Sequence, residues 1–253
     1  MKICIIDGSA RKGNTRKVIE AFKNELLALT PVEFFEVNVY DLDLPFCKSC
    51  YLCFFKGEGS CPNQEVIQPV YKEMISSDGV IIASPAYSLQ VTAALKNLID
   101  HFSFIIHRPG LANKKGVVIS TTAGAGHKEV AKYLSQLLNF WGVDKVYSFP
   151  VRVAAEELEI KKRLQKKIKR KASQFFLDIS QRRRYNPSIK QLLYFSIMKA
   201  FYQLGEKEQT VDYCYWKDRG WFDLDFFHPI GFPKNLIGRI NYKFFQWMFK
   251  KRT

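Results

Sequence analysis

The sequence predicts an α/β fold in which a five-stranded parallel sheet is covered by helices on both faces. Short apolar segments alternate five times with segments of helical periodicity over the first 150 residues. Most of the apolar segments are continuous runs, as expected for strands that are buried on both faces. Three of the loops that follow strands carry glycine, hydroxyl or other polar residues. Because the carboxyl ends of parallel strands share one edge of the sheet, these loops predict a ligand site there.

The predicted strands and helices follow one another in order along the chain. Strands are expected at 3–6, 32–39, 79–83, 116–120 and about 145–151. Helices are expected after residue 15, where Val18, Ile19, Phe22 and Leu26 share one face, and at 64–76, 93–102 and 128–141. A long helix over 156–184 is expected to close the fold, with Lys and Arg residues on its solvent face.

Residues 1–184 are predicted to form one domain, and residues 185–253 a mostly helical C-terminal extension. The last part of the extension, 205–253, holds thirteen Phe, Tyr and Trp residues, which is too aromatic for a disordered tail. A helix with one apolar face is expected over 235–251. We expect a second copy of the chain to cover that face, with packing inside the monomer and contact with a membrane surface as alternatives.

The net charge of +15 lies almost entirely in the C-terminal part of the chain. Residues 1–150 carry a net charge of +2, and residues 151–253 carry +13. A basic surface favours acidic partners; a nucleic-acid or membrane-surface module is an alternative interpretation, and we expect no nucleic acid. The sequence has no run of eighteen apolar residues and no N-terminal signal sequence, so we expect no transmembrane span and a cytoplasmic protein.

The first loop, Gly8–Thr15, is predicted to bind a phosphate group. It lies between a buried strand and a helix, where backbone N–H groups and the helix dipole favour an anion. Ser9 and Thr15 offer hydroxyl groups, and Arg11 can pair with phosphate oxygens. The alternative is a capped turn without a ligand, because Ser, Asn and Thr are common N-cap residues.

The second and third loops suggest a flat ligand that carries the phosphate as a tail. The segment Ser84–Ser88 (Ser-Pro-Ala-Tyr-Ser) follows the third strand, and Thr121–Gly126 follows the fourth. Their backbone groups can face the polar edge of a ring, and Tyr87 can pack on it. The alternative is that Ser84–Ala86 only ends a strand and that the glycines only turn the chain.

With these three loops, residues 1–150 resemble the flavodoxin-like NADPH-dependent FMN reductase family. The matching segments are Gly8–Thr15, Ser84–Ser88 and Leu95–Asp100. The resemblance implies that the FMN phosphate is held by Ser9, Arg11, Gly13, Asn14 and Thr15. It also implies that the isoalloxazine lies along Pro85, Ala86, Tyr87 and Ser88, with Thr122, Ala123 and Gly124 on its far side. Asp7 stands where the family usually has an apolar residue, and the sequence does not explain it.

Four cysteines in the 47–61 loop resemble the compact motif of iron–sulfur flavoproteins, a branch of the same family. Cys47, Cys50, Cys53 and Cys61 have the spacing C-x2-C-x2-C-x7-C. The resemblance implies that they ligate a [4Fe-4S] cluster near the flavin. Free thiols and a zinc site are the alternatives, although zinc prefers two separated cysteine pairs. Cys4 and Cys214 are expected to be packing residues, not ligands.

The expected function is that of an FMN-dependent oxidoreductase. It would take a hydride from NAD(P)H onto the flavin and pass electrons to a second acceptor, through the cluster if one is present. The alternative is an electron carrier that docks redox proteins, such as an acidic ferredoxin, and has no small substrate. We assign no catalytic side chain, because the flavin carries the chemistry. His127 is expected to be an exposed loop residue.

Overall fold

The computed structural model describes residues 1–153 and 162–251. The strands are β1 (Lys2–Asp7), β2 (Glu33–Asn38), β3 (Gly79–Pro85), β4 (Lys115–Thr122) and β5 (Lys145–Arg152). The helices are α1 (Asn14–Leu27), α2 (Leu52–Phe55), α3 (Gln64–Ser76), α4 (Ala93–His101), α5 (Phe104–His107), α6 (His127–Phe140), α7 (Lys162–Ser180), α8 (Ile189–Gln203), α9 (Val211–Asp218) and α10 (Lys234–Lys250). Two short 3₁₀ turns, Glu58–Ser60 and Leu204–Glu206, complete the regular structure of these residues.

The five strands form one parallel sheet in the order β2-β1-β3-β4-β5, which confirms the predicted fold class. This order is that of the flavodoxin-like fold, in which the connections reverse direction between β1 and β3. The register places Asp7 beside Ala83 and Pro85 beside Thr121. The loops that follow β1, β3 and β4 therefore begin at the same edge of the sheet, as the sequence predicts.

The sheet separates two hydrophobic cores because successive strand residues point to opposite faces. On one face, Ile3 and Ile5 pack with residues of α1 and α7. On the other face, Cys4 and Ile6 pack with residues of α3, α4 and α6. Continuous apolar strands are thus explained by burial on both sides.

The basic helix α7 closes the first of these cores. Its buried residues include Ala172 and Phe175, and the Phe175 ring meets that of Phe22 at a centroid distance of 5.9 Å. The predicted helix over 156–184 is therefore present from Lys162 to Ser180, and its first residues lie outside the described part of the chain.

Gly79, at the start of β3, lies directly under α7. A Cβ atom there would approach Phe175 Cζ to 2.5 Å and Ile179 Cδ1 to 3.0 Å. We expect Gly79→Ala to lower the free energy of unfolding by about 1–3 kcal/mol, the usual cost of overpacking a core. Urea titration measures this, with Gly231→Ala as control because no atom of the described residues lies within 4 Å of a Cβ at that position. Equal stability of the two variants would contradict the packing of α7 on β3.

The C-terminal extension is helical, as predicted, and has a hydrophobic cluster of its own. Residues of α8, α9 and the 221–227 segment form this cluster: Leu192, Phe195, Tyr202, Trp216, Trp221, Phe226 and Phe227. The Tyr194 and Phe140 rings, 4.7 Å apart, join α8 to α6. The predicted boundary between the two domains, after residue 184, stays a prediction.

Helix α10 packs on α8 through one face and leaves its other face exposed. Ser196 Oγ donates to the carbonyl oxygen of Gly238 at 3.2 Å, and Tyr242 donates to the Gln203 side chain. We call the outer set of exposed apolar residues the α10 stripe: Leu236, Ile240, Phe244 and Trp247. Packing within the monomer therefore accounts for only part of this helix. Within 1–153 and 162–251, no helix has the length and apolar character needed to cross a membrane.

Candidate functional site

Gly8 fixes the first loop against the end of β3. Its N–H donates to the Ala83 carbonyl at 2.8 Å, and its own carbonyl accepts from Thr92 Oγ1 at 2.8 Å. A Cβ atom on Gly8 would lie 2.9 Å from both Ala83 O and Leu95 Cδ2. Only glycine fits this close approach. The loop therefore starts from a position that is fixed to the neighbouring strand and to the N-cap of α4.

Asp7 supports the first loop from beneath, which the sequence does not reveal. Its Oδ1 accepts from Ser9 N at 3.0 Å and from Ser9 Oγ at 2.5 Å, and Arg16 lies 3.7 Å from Oδ2. Burial raises the pKa of this carboxyl group, and the Ser9 hydrogen bonds oppose the rise. Because the Ser9 hydroxyl donates to Asp7 here, it must turn away from Asp7 to donate to a phosphate.

The N-terminus of α1 presents the other predicted phosphate ligands. Gly13 is the N-cap and has no side chain with which to cap the helix. A Cβ on Gly13 would lie 3.7 Å from Arg11 Cγ, so the exposed Arg11 side chain passes over this helix end. Thr15 Oγ1 lies 2.7 Å from Thr121 Oγ1 and so links the first loop to the end of β4. A cation beside an uncapped helix N-terminus suits an anion such as phosphate.

The second and third loops lie against each other. Ser88 and Leu89, with φ angles of 49° and 67°, form a tight turn that pairs Tyr87 with Gln90. Gly126 has φ +93°, and a Cβ there would be 2.7 Å from Leu89 Cα. The two segments predicted to flank the isoalloxazine are therefore adjacent. The predicted ligand residues at their tips, Tyr87, Ser88, Ala123 and Gly124, are exposed, whereas Pro85, Ala86 and Thr122 are half-buried.

His127 differs from the sequence-based expectation of an exposed loop residue. It is the first residue of α6, it is half-buried, and its Nδ1 atom has no hydrogen-bond partner among the described residues. The left-handed Gly126 directly before it ends the loop and begins the helix. Buried polar atoms are usually hydrogen-bonded, so this nitrogen is available to a ligand, and the third loop borders the predicted flavin site.

The cysteine loop is a second candidate site. Cys47, Cys50, Cys53 and Cys61 all line one cavity of about 490 Å³, together with His101. Cys4 lies in β1 and Cys214 in α9, and neither lines this cavity. The structure thus brings the four predicted ligands to one cavity and leaves Cys4 and Cys214 outside it.

Helix α4 holds the cysteine loop through two side chains. Asn97 Oδ1 accepts from Cys47 N at 3.1 Å, and Asn97 Nδ2 donates to Leu44 O at 2.9 Å. His101 Nε2 lies 2.9 Å from Pro45 O, and its Nδ1 lies 3.8 Å from Cys61 Sγ. These contacts fix the beginning of the loop and its last cysteine on the same helix.

The thiols are close enough to influence one another electrostatically. Burial raises the pKa of Cys53, Cys61 adds to the rise, and Arg108 opposes it. Burial also raises the pKa of Cys61, with smaller contributions from Cys50 and Cys47. In the described part of the chain, no three His, Cys, Asp or Glu side chains are grouped so that they could hold a single metal ion.

The comparison with known protein families decides the assignment. The sequence model of the NADPH-dependent FMN reductase family matches residues 1–152. The chain belongs to this family. An iron-sulfur flavoprotein from Archaeoglobus fulgidus is 34% identical over 234 residues, which cover 87% of this chain and 99% of the relative. This similarity places the chain in the iron–sulfur flavoprotein branch, as the cysteine motif predicts.

The fold of this chain is similar to that of flavoenzymes whose structures have been solved. The flavoenzyme NAD(P)H:(acceptor) oxidoreductase FerB from Paracoccus denitrificans has a TM-score of 0.54 at 19% identity, covering 72% of this chain and 98% of FerB. An FMN-dependent NADH-azoreductase from Bacillus anthracis, solved with FMN, has a TM-score of 0.53 at 18% identity, covering 69% and 99%. The family establishes an FMN-dependent flavin oxidoreductase that uses NAD(P)H. The individual ligand residues remain predictions.

Proposed function

We propose that the chain oxidises NAD(P)H at an FMN on the carboxyl edge of the sheet and passes the electrons to a second acceptor through a [4Fe-4S] cluster. The observation that carries this proposal is that α4 supports both candidate sites. Its N-cap Thr92 binds the first loop, and Asn97 and His101 bind the cysteine loop. Thr92 and Asn97 are about 7.5 Å apart along the helix axis, given the rise per residue. A shared helix would keep a flavin and a cluster close together.

The first loop fits the phosphate of FMN. The proposed ligands are the backbone of Gly13 and Asn14 at the start of α1, the Arg11 guanidinium, and the hydroxyls of Ser9 and Thr15. The uncapped helix end and the neighbouring cation support this assignment. Asp7 would act through Ser9, by holding the loop in place.

The second and third loops fit the ring of the flavin. We propose that the isoalloxazine lies between the Pro85–Ser88 and Thr122–Gly124 segments. The Nδ1 atom of His127, which has no hydrogen-bond partner in residues 1–153 and 162–251, supports a polar ligand edge near the start of α6. We add His127 to the proposed flavin site, and the chain's part there is to orient the ring and to shield it from water.

The cysteine cavity fits a cluster better than a single ion. Its four sulfur donors suit a [4Fe-4S] group, which is larger than one metal ion and needs one cysteine for each iron. Cysteine binds iron as the thiolate, so binding would remove the thiol protons. Burial and the neighbouring cysteines oppose loss of the Cys53 proton, because they raise the pKa of that thiol. When bound, the cluster supplies one-electron transfer, which a nicotinamide cannot supply.

The visible spectrum of anaerobically purified protein tests this proposal, together with iron and acid-labile sulfide content. We expect flavin absorption, a broader cluster absorption, and bleaching of both on addition of NADPH. Absence of FMN would contradict the flavin site. Anaerobic protein with FMN and without iron would contradict the cluster, and stoichiometric zinc would make the cysteine site structural.

A second candidate function is that of an electron carrier for an acidic redox protein such as a ferredoxin. The net charge of +13 in residues 151–253 favours it, because a basic surface attracts an acidic partner. Rapid reduction of the flavin by NADPH in a single-turnover experiment without any protein partner would contradict the proposal that the chain is a carrier with no small substrate. Slow NADPH reduction combined with rapid reduction by ferredoxin would support the carrier.

We also propose that the α10 stripe joins two copies of the chain. Ile240 and Phe244 are exposed, whereas the inner face of α10 is already used by α8. We expect Ile240→Ser combined with Phe244→Ser to convert a dimer or larger species to monomer in light scattering, because exposed apolar stripes of this kind mark interfaces. Lys243→Ser, an exposed change on the same helix, is the control. A full-length chain that is already monomeric would contradict the proposal.

A further inference from the structure

Arg108 is a buried cation directly behind the cysteine cavity. It follows α5, is 1% exposed, and donates from NH2 to the backbone carbonyl of Cys53 at 2.5 Å. Its NH1 donates to Asp212, and Glu58 lies 3.4 Å from its Nε. A guanidinium can make several such bonds at once in a fixed geometry, which a lysine cannot. Arg108 therefore connects the backbone of one predicted cluster ligand to an acidic residue 104 positions away.

Asp212 belongs to α9 of the C-terminal extension. Besides the bond from Arg108, it lies 3.1 Å from His107 Nδ1 through its other oxygen. The extension also binds the two carbonyls before Arg108: Trp216 Nε1 donates to His107 O at 2.9 Å, and Tyr194 OH donates to Ile106 O at 2.5 Å. The 106–108 segment is thus bound by the extension at every residue. Among the described residues, only this segment connects a side chain of α9 to a cysteine of the cavity through ion pairs and hydrogen bonds.

Further contacts join the extension to the cysteine loop. The ring of Phe54, next to Cys53, meets the His107 ring at a centroid distance of 4.5 Å. A Cβ at Gly57 would be 3.9 Å from Val211 Cγ1 in α9. The comparisons point the same way, because the family model ends at residue 152, whereas the similarity to the iron-sulfur flavoprotein covers 87% of the chain and so reaches into the extension.

We infer that Asp212 and Arg108 are positioning residues of the cysteine site, so that the extension is part of that site. Asp212 orients Arg108, and Arg108 holds the Cys53 backbone where its thiol can ligate the cluster. Residues beyond the ligands commonly fix ligand orientation in metal sites. This inference rests on the proposed cluster, but the geometry that it invokes is also measurable without iron.

The test compares Asp212→Asn with wild type in the full-length protein. Losing such an outer partner usually lowers metal affinity by about 10- to 100-fold. We expect release of iron to a chelator to be faster by a similar factor, and the EPR spectrum of the reduced cluster to change. FMN affinity should stay the same, because among the described residues no hydrogen bond or ion pair joins the first loop to Arg108 or Asp212. Asp212→Glu, which keeps the charge, should restore part of the slow release.

Asp144→Asn is the matched control, because Asp144 pairs with the buried Lys115 at 2.6 Å and does not line the cysteine cavity. It should lower stability but release iron at the wild-type rate. Equal acceleration in both variants, or none in Asp212→Asn, would overturn the inference.

Hydrogen exchange separates this inference from the proposed cluster. The amides of Phe54, Phe55 and Lys56 are bonded to carbonyls of residues 51 and 52, within the cysteine loop. Asp212→Asn should speed exchange of these amides whether or not iron is present. If wild-type protein holds no iron, the cluster proposal fails, and unchanged exchange at 54–56 would overturn the positioning role separately.

Discussion

Cys50→Ser is expected to abolish the iron and acid-labile sulfide of the anaerobically purified protein while FMN remains bound. A [4Fe-4S] cluster needs a thiolate on each iron, and a serine hydroxyl is a poor substitute. Cys50 is exposed at the cavity, so its replacement should cost the fold little. The flavin should be retained because the first loop is held by β3 and Thr92, not by the cysteine loop. Iron, sulfide and flavin are measured on the same sample.

Cys214→Ser is the matched control for this prediction. Cys214 is half-buried in α9 and donates from Sγ to the Gln209 carbonyl at 3.4 Å, a bond that serine can also make. It should leave iron content at the wild-type level. Loss of iron in Cys214→Ser, or full iron in Cys50→Ser, would contradict the assignment of the four ligands.

The sequence predicts the sheet and its helices well because their patterns are local. The helix 64–76 is found with the predicted bounds. The predicted helix 93–102 is one residue longer than the observed one, and the predicted helix 128–141 is shifted by one residue at each end. Helical periodicity and continuous apolar runs follow from which residues are buried, so they can be read from the sequence. Short connections between the elements leave few alternative topologies. The order of the strands then brings the three loops to one edge without further information.

The supports of the sites are not predictable in this way because they depend on side-chain contacts between distant segments. Asn97 reaches Cys47 across 50 positions, and Arg108 reaches Asp212 across 104. Asn97 lies in the Leu95–Asp100 segment that resembles the family, but nothing in that segment points to Cys47, and no local pattern marks Arg108. Asp7 is a similar case: a carboxylate in an apolar strand has no evident reason until the Ser9 backbone and hydroxyl are seen to bind it.

The packing partners of the C-terminal extension also cannot be predicted from local sequence patterns. Its aromatic composition predicts burial, and the cluster around Trp216 confirms that burial. Composition does not tell which segment it packs on. The Trp216 N–H donates to the carbonyl of His107 and so connects the extension to the cysteine site. These two residues are 109 positions apart, and only the folded chain brings them together.

Arg11→Ala is expected to weaken FMN binding by about 1.5–3 kcal/mol, the range for hydrogen bonds to charged groups. This corresponds to an increase in Kd of about 10- to 150-fold. Arg11 is exposed and passes over Gly13 at the start of α1, so its loss should affect the phosphate and not the core. Quenching of flavin fluorescence measures Kd, and the melting temperature of the apoprotein should stay at the wild-type value.

Lys17→Ala is the control for Arg11→Ala, because Lys17 is an exposed cation of α1, two residues beyond the loop that holds Arg11. It should change the Kd for FMN much less, and the difference between the two variants should shrink as salt is added, since ions screen exposed charges. Riboflavin, which lacks the phosphate, should bind both variants with equal affinity. An equal loss of FMN affinity in both variants, or none in Arg11→Ala, would contradict a phosphate site at Gly8–Thr15.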